Sequence, residues 1–265
     1  MLETKSLRLA ILKAIYGGRS SHIGSALSVV DLIYYIYKYV LKFNPKDPEK
    51  PDRDRFILSK GWAASALYSV LARMGFFSED FFVKNYCRDG SSFIGITTLS
   101  GIPGIETTTG SMGHGLPIGT GMAIAGKMAR KPYRVFVLIS DGELDEGSTW
   151  ESIFFGGHHG LDNLTVIIDY NKLQSFGPVK NILDPEPIED KFKAFKWSVQ
   201  RINGHDLYEM ERVFSKIPFE KGKPSIIIAD TIKGKGISFM ENNNVWHYKP
   251  PNKEQFDQAL KELQS

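Results

Sequence analysis

Asp141 and Asn171 are the residues whose types and placement speak most directly of chemistry. Each follows an apolar run rich in β-branched residues, RVFVLIS (134–140) and NLTVIID (163–169), and Asn171 lies thirty positions after Asp141. Two oxygen-bearing side chains at neighbouring strand tips, together with a nearby main-chain carbonyl, make half of an octahedral oxygen cage. The remaining positions suit diphosphate oxygens and water, the arrangement Mg²⁺ prefers. Gly142 lacks a Cβ, so backbone can approach a phosphate there, and a helix beginning near Leu144 would aim unpaired N–H groups at the anion. A plainer reading makes Asp141 a helix cap and Asn171 a turn residue, and either residue alone would fit it.

Holding two such groups side by side requires a sheet. Continuous apolar runs at 55–59, 134–140, 163–169, 197–202 and 224–230 read as strands buried on both faces. Helical periodicity fills 62–74, 78–87, 114–130, 145–160 and 206–217. The alternation predicts an α/β fold with a doubly wound, mostly parallel sheet flanked by helices, one domain over 1–265. Upstream, Leu7, Ile11, Ala14 and Ile15 predict a helix stopping at Gly17-Gly18, followed by a loop carrying His22. A second helix, capped by Ser28, is expected to run to about Lys42, and the polar stretch from Asn44 must be loop. Ligands of such sheets bind beyond the carboxyl ends of the strands, so the loops after Ser59, Ile139 and Ile168 are expected to hold the site.

Composition narrows the class. With 265 residues and 42% hydrophobic residues the chain can fill a sizeable core. Lys and Arg number 33 against 30 acids, without any block of like charge, so neither nucleic acid nor membrane is expected as a partner. The amino terminus MLETKSLRLA lacks the apolar run of a signal peptide, and the greasy stretch Leu32 to Tyr37 is far too short to span a bilayer. A soluble, cytoplasmic protein is expected. The single cysteine, Cys87, excludes an internal disulfide and is read as a packed residue on a helix.

The segment SDGELDEGSTWES, followed by HHGLDNLTVIIDYNKLQSFG, resembles the thiamine-diphosphate signature of transketolases. The similarity extends through PDRDRFILSKG (51–61), PGIETTTGSMGHGLPIGTGMA (103–123), INGHD (202–206), KGKPSIIIADTIKGKGISFMENN (221–243) and Trp246-His247. The resemblance implies a transferase using thiamine diphosphate and Mg²⁺, with Asp141, Asn171 and the carbonyl of Leu173 as metal ligands. Gly142 and Glu143 would lie by the diphosphate, and Gly110, Met112 and Trp62 along the cofactor. His22 and His247 match histidines near the reacting carbonyl, and Glu146 matches an acid that relays protons across a dimer interface. In the family a glutamate that binds the pyrimidine belongs to a second α/β domain, for which no room remains after Met240. The chain therefore resembles the first subunit of a split transketolase. It implies a second subunit carrying the pyrimidine-binding domain, a two-plus-two assembly and a small-molecule sugar substrate.

Several positions depart from the family pattern. Trp62 stands where S-K-G-H has histidine, Ile96 where G-H-P has histidine, His114 for a glutamine, Pro117 for a serine and Ser140 for a glycine. Neither an indole nor an isoleucine replaces a titratable imidazole, so a non-standard or nucleotide-linked sugar is expected, with His114 partly replacing the lost histidines. Two other readings stay open: a subunit that binds cofactor but is catalytically weak, and a nicotinamide-dependent dehydrogenase suggested by the glycines of GSMGHGLPIGTG. The second lacks a preceding strand and an acidic ribose ligand about twenty residues on. His158 and His159 are expected to be packed or at the surface, His205 to be a turn residue, and Asp206 to cap the helix that follows it.

Overall fold

A computed structural model of the chain describes residues 2–264. The elements run α1 (Leu2–Gly18), α2 (Ile23–Tyr35, continued by a π-turn at Ile36–Val40), β1 (Arg55–Leu58), α3 (Ala64–Arg73), α4 (Glu79–Asn85) and α5 (Gly115–Met128). They continue with β2 (Val135–Ser140), α6 (Gly147–His158), β3 (Leu164–Tyr170), α7 (Val179–Ile182), α8 (Ile188–Ala194), β4 (Ser198–Asn203), α9 (Leu207–Phe214), β5 (Ser225–Asp230) and α10 (Lys253–Gln264). The five strands form one sheet in the order β1-β2-β3-β5-β4, every pair parallel.

Side chains alternate across each strand, and both faces are covered. Phe56, Phe136, Leu138, Ile167 and Ile227 pack beneath α1, α2 and α3. Ile57, Val137, Ile139, Val166 and Ile168 pack on the other side, with Leu116 and Ala123 of α5 and Ile153 of α6. All of β3 is buried, and each isoleucine removed from water there contributes about 1.5–3 kcal/mol. Register sets Ser140 opposite Asp169 and Tyr170 opposite Asp230, so the tips of β2, β3 and β5 open onto one basin.

Three local expectations change. Helix α2 begins at Ile23, not after Ser28: Ser28 is buried inside it, donating to Ser25 O at 3.0 Å and to Asp169 Oδ2 at 2.7 Å. A hydroxyl that meets a buried carboxylate on β3 cannot also cap a helix end. Cys87 lies beyond the end of α4 with φ 51, because the chain turns at Tyr86 to pair Cys87 N–H with Phe93 O. His205 does more than turn the chain: its Nδ1 lies 2.7 Å from Asp31 Oδ2 and its Nε2 accepts from Ile232 N–H at 2.9 Å. Arg8 grips the same carboxylate in a fork, at 2.9 and 2.6 Å. Asp206 caps α9, accepting from the N–H groups of Tyr208 and Glu209. Among the described residues no helix is long and apolar enough to cross a membrane.

Candidate functional site

At the carboxyl ends of β2 and β3 lies a cavity of about 590 Å³, and every residue singled out for the site lines it. Strand β2 ends at Ser140 and tightens into a 3₁₀ turn, Asp141–Asp145, before α6 starts at Gly147. The N–H groups expected from a helix near Leu144 therefore belong to this turn. Asp141 is buried, with Oδ1 accepting from Gly142 N–H at 2.9 Å and Oδ2 from Lys172 N–H at 2.8 Å. The second bond ties the two strand tips together. Asn171 donates through Nδ2 to Asp169 Oδ2 at 2.9 Å, which turns Oδ1 to the amide's other edge, where it accepts from Leu173 N–H at 3.1 Å.

Behind these groups Asp169, fully buried, gathers donors from Lys60, Ser28, Thr231 and Asn171. Burial pushes the Asp169 carboxyl up, but the Lys60 ammonium and these donors outweigh it and hold it below the ordinary range. Asp141 goes the opposite way, pushed up to about 6 by burial and then by Asp169. Glu143 is also buried and raised by burial. Its carboxylate is committed to Ser59 Oγ, Ser140 N–H and Gly113 N–H, so it fastens β1, β2 and the α5 entrance together and leaves little for a ligand.

The other wall is aromatic. His22 precedes α2 in a left-handed conformation, φ 69 and ψ 22, which costs a residue with a Cβ of order 1 kcal/mol. Its N–H donates to His247 O at 2.9 Å, and its ring stacks on Trp62 at 4.8 Å. Burial, then Lys60 and Lys233, lower His22 to about 4. Burial, then Lys233, lower His247 to about 3. Both shifts favour the uncharged ring. Trp62 Nε1 donates to Gly110 O at 2.9 Å. Gly110 has φ +116, and a Cβ there would come within 2.1 Å of Ile96 Cδ1. Trp62 and Ile96, the two positions expected to stand in place of family histidines, thus converge on one glycine. His114 is exposed at the start of α5, its Nδ1 3.0 Å from Met112 O, and Glu146 stands half-buried at the start of α6. Met112 is exposed beside Gly142. The glycines from Gly110 to Gly121 enter α5 from a long loop with no preceding strand, which removes the dinucleotide reading.

Three site residues were not singled out from sequence. Lys60 and Asp169 form a buried ion pair, and Lys233, 1% exposed, follows β5. The rule that points to loops after strand ends, applied to β5 as well, finds Lys233.

The residues present fit a magnesium diphosphate. Among the described residues no group of three or more His, Cys, Asp or Glu is arranged to hold a metal. The oxygens there are mixed, a carboxylate, an amide and the Leu173 carbonyl, which also accepts from Lys233 Nζ at 3.0 Å, and such a set matches a hard cation that keeps phosphate and water ligands. At Gly142 a Cβ would point toward Gln174 and Met112, 3.6 and 3.8 Å away, across the floor of the cavity.

A parallel sheet flanked by helices on both faces, with a cavity beyond the carboxyl ends of its central strands, is the architecture of the thiamine-diphosphate-binding α/β class. Residues 2–264 match the family model described as "Transketolase, thiamine diphosphate binding domain", and the chain belongs to the transketolase family. It is 37% identical to a subunit of apulose-4-phosphate transketolase from Phocaeicola vulgatus, over 99% of this chain and 92% of that protein. It is 38% identical to the SqwG subunit of 6-deoxy-6-sulfo-D-fructose transketolase from a Clostridium species, over 92% of this chain and 88% of that protein. The solved transketolase from Leishmania mexicana superposes with a TM-score of 0.93 at 27% identity, covering 100% of this chain and 41% of that one. Transketolase from Campylobacter jejuni gives 0.90 at 29%, covering 99% and 42%. The chain thus spans about two fifths of these longer transketolases.

Proposed function

We propose that this chain is the diphosphate- and metal-holding subunit of a transferase that depends on thiamine diphosphate and Mg²⁺. It moves a two-carbon ketol unit, or a related acyl-anion equivalent, between carbonyl compounds. The observation that carries the reading is the buried Asp141 carboxylate, bonded to the tip of β3 through Lys172 N–H beside the Asn171 amide oxygen. Asp141, Asn171 and the Leu173 carbonyl hold the cation, Gly142 lets backbone approach the diphosphate, and Gly110 and Met112 line the path of the rings. The cofactor, when bound, supplies the electron sink that lets a carbon beside a carbonyl be transferred. His22, His247 and His114 present polar edges to the sugar, and Glu146 faces a partner.

Relatives named as single subunits of a transketolase match this chain over most of their own length, 92% and 87% in two apulose-4-phosphate enzymes. That shared length supports a second subunit, which in this reading supplies the pyrimidine-binding domain and joins a two-plus-two assembly in the cytoplasm. Trp62 and Ile96 support a donor other than a simple ketose phosphate: an indole tied to Gly110 O lines the cavity where an imidazole is expected, and its flat face suits a modified or nucleotide-linked sugar. The test is to offer the two-subunit complex fructose 6-phosphate and xylulose 5-phosphate beside modified and nucleotide-linked sugars, following product by mass spectrometry. Transfer from the second group with poor use of the first is expected. Rapid turnover of the simple ketose phosphates would overturn the donor assignment, and no transfer from any sugar would overturn the reaction.

A further inference from the structure

Next to the cavity described above lies a second, of about 750 Å³, and no residue lines both. Arg19 stands three residues before His22 and Pro250 three after His247, and His22 N–H donates to His247 O, so the two cavities flank one pair of segments. The side-chain nitrogen donors of the second cavity are the guanidiniums of Arg19 and Arg88 and the amide of Asn252, and no acidic residue lines it. Among the described residues neither guanidinium has a hydrogen bond or an ion pair, whereas Arg8, Arg53, Arg134 and Arg201 each hold a carboxylate. A guanidinium stays charged at any pH the protein meets and presents its N–H donors in a planar fork. Two of them lining one space repel each other until an anion joins them.

Local structure accounts for one of these cations and not for two. A Cβ built on Gly17 would lie 3.6 Å from Arg88 Nη2, so that guanidinium lies over the end of α1, where the helix dipole favours a cation. Arg19 follows the helix with φ 49, a left-handed backbone in which glycine is the unstrained choice, and its side chain gains no partner among the described residues. Asn252 Oδ1 accepts from Gln255 N–H at 2.9 Å. A backbone N–H can only donate, so the amide is fixed with Nδ2 turned to its other edge. We propose that this cavity binds phosphate, free or as the ester of a small molecule, with Arg19 and Arg88 as forks on its oxygens and Asn252 Nδ2 as a further donor. Donors on three separate residues suit the three terminal oxygens of a phosphate better than the two of a planar carboxylate. The volume leaves room for the body of an ester, and Tyr16, stacked on Phe256 at 4.2 Å, offers it a fixed ring to lie against. The site is separate from the one proposed for the cofactor's diphosphate and requires neither metal nor partner subunit.

Calorimetry on the full chain, free of metal and cofactor and at constant chloride, tests the site with inorganic phosphate as the probe. Saturable binding is expected. Arg19→Met and Arg88→Met are each expected to weaken it about 10-fold or more, the effect of losing a charge-assisted hydrogen bond. The unfolding midpoint should stay unchanged, because neither side chain has a partner to lose. Glucose 6-phosphate separates the two sources of the group: tighter binding than inorganic phosphate supports an ester as the ligand, and weaker or equal binding supports the free ion. No saturable binding, acetate bound as tightly as phosphate, or full affinity in either methionine variant would overturn the assignment. Should a methionine variant not fold, Arg19→Lys and Arg88→Lys, which keep the charge and lose the fork, decide in its place: weaker binding is expected, and unchanged affinity overturns the site. None of these titrations involves turnover, so a complex inactive on every sugar would count against the proposed reaction and leave this site standing.

Discussion

Two buried aspartates, Asp31 within α2 and Asp141 just beyond β2, show opposite electrostatics. Asp31 is 7% exposed; burial pushes its carboxyl up, yet hydrogen bonds from His205 and Arg8 outweigh that and hold it well below the usual carboxylate range. Asp141 is 3% exposed, accepts only main-chain N–H groups, those of Gly142 and Lys172, among the described residues, and is driven up to about 6 by burial and by Asp169. A buried charge whose partners are all supplied by the chain stabilises the fold. One held by main-chain N–H groups alone, set in the wall of a cavity, is a candidate to bind a ligand there, as proposed for Asp141. The same residue type thus separates structure from function through its neighbours.

The contrast is broken most severely at Asp141. Asp141→Ala in the two-subunit complex is expected to weaken thiamine diphosphate binding in Mg²⁺ by more than the roughly 10–100-fold typical of losing an outer-sphere partner, read by calorimetry. The unfolding midpoint of the ligand-free chain should not fall. Arg8→Met is expected to do the reverse, because it strips Asp31 of its forked partner and leaves a buried carboxylate with His205 alone. Breaking such a pair costs about 3–5 kcal/mol, read as a lower denaturant midpoint at unchanged m-value.

How much of this was legible beforehand follows from the distance over which each feature is decided. The strands were legible because residues buried on both faces must be continuously apolar, and strand ends fixed where Asp141 and Asn171 emerge. The start of α2 was not, because it depends on His22 adopting a left-handed backbone, and because Ser28 meets Asp169 across 141 positions of sequence. His205 looked like a turn residue since its partner Asp31 lies 174 positions away. The meeting of Trp62 and Ile96 around Gly110 likewise emerges only once the loops are folded together.

Acid sharpens the same comparison. Asp31 has a folded-state pKa depressed below its unfolded value, so its contribution is fully present above about pH 4 and is lost as pH falls through the folded value. Native chain is therefore expected to exceed Asp31→Asn in stability at pH 7, with the gap narrowing progressively below about pH 4, measured by urea unfolding at each pH. The smallest effect belongs to an exposed pair. Asp190 and Lys193 lie 3.2 Å apart with side chains 72% and 61% exposed, and Asp190→Ala is expected to change stability by no more than about 0.5 kcal/mol.

Isothermal titration of the native two-subunit complex with thiamine diphosphate, once in excess Mg²⁺ and once after stripping divalent ions with EDTA, probes the Asp141 carboxylate most directly. Tight binding in the first titration and its loss in the second is the predicted result. Equal affinity in both would mean that the oxygens of Asp141, Asn171 and Leu173 hold no cation and that the diphosphate is bound in some other way.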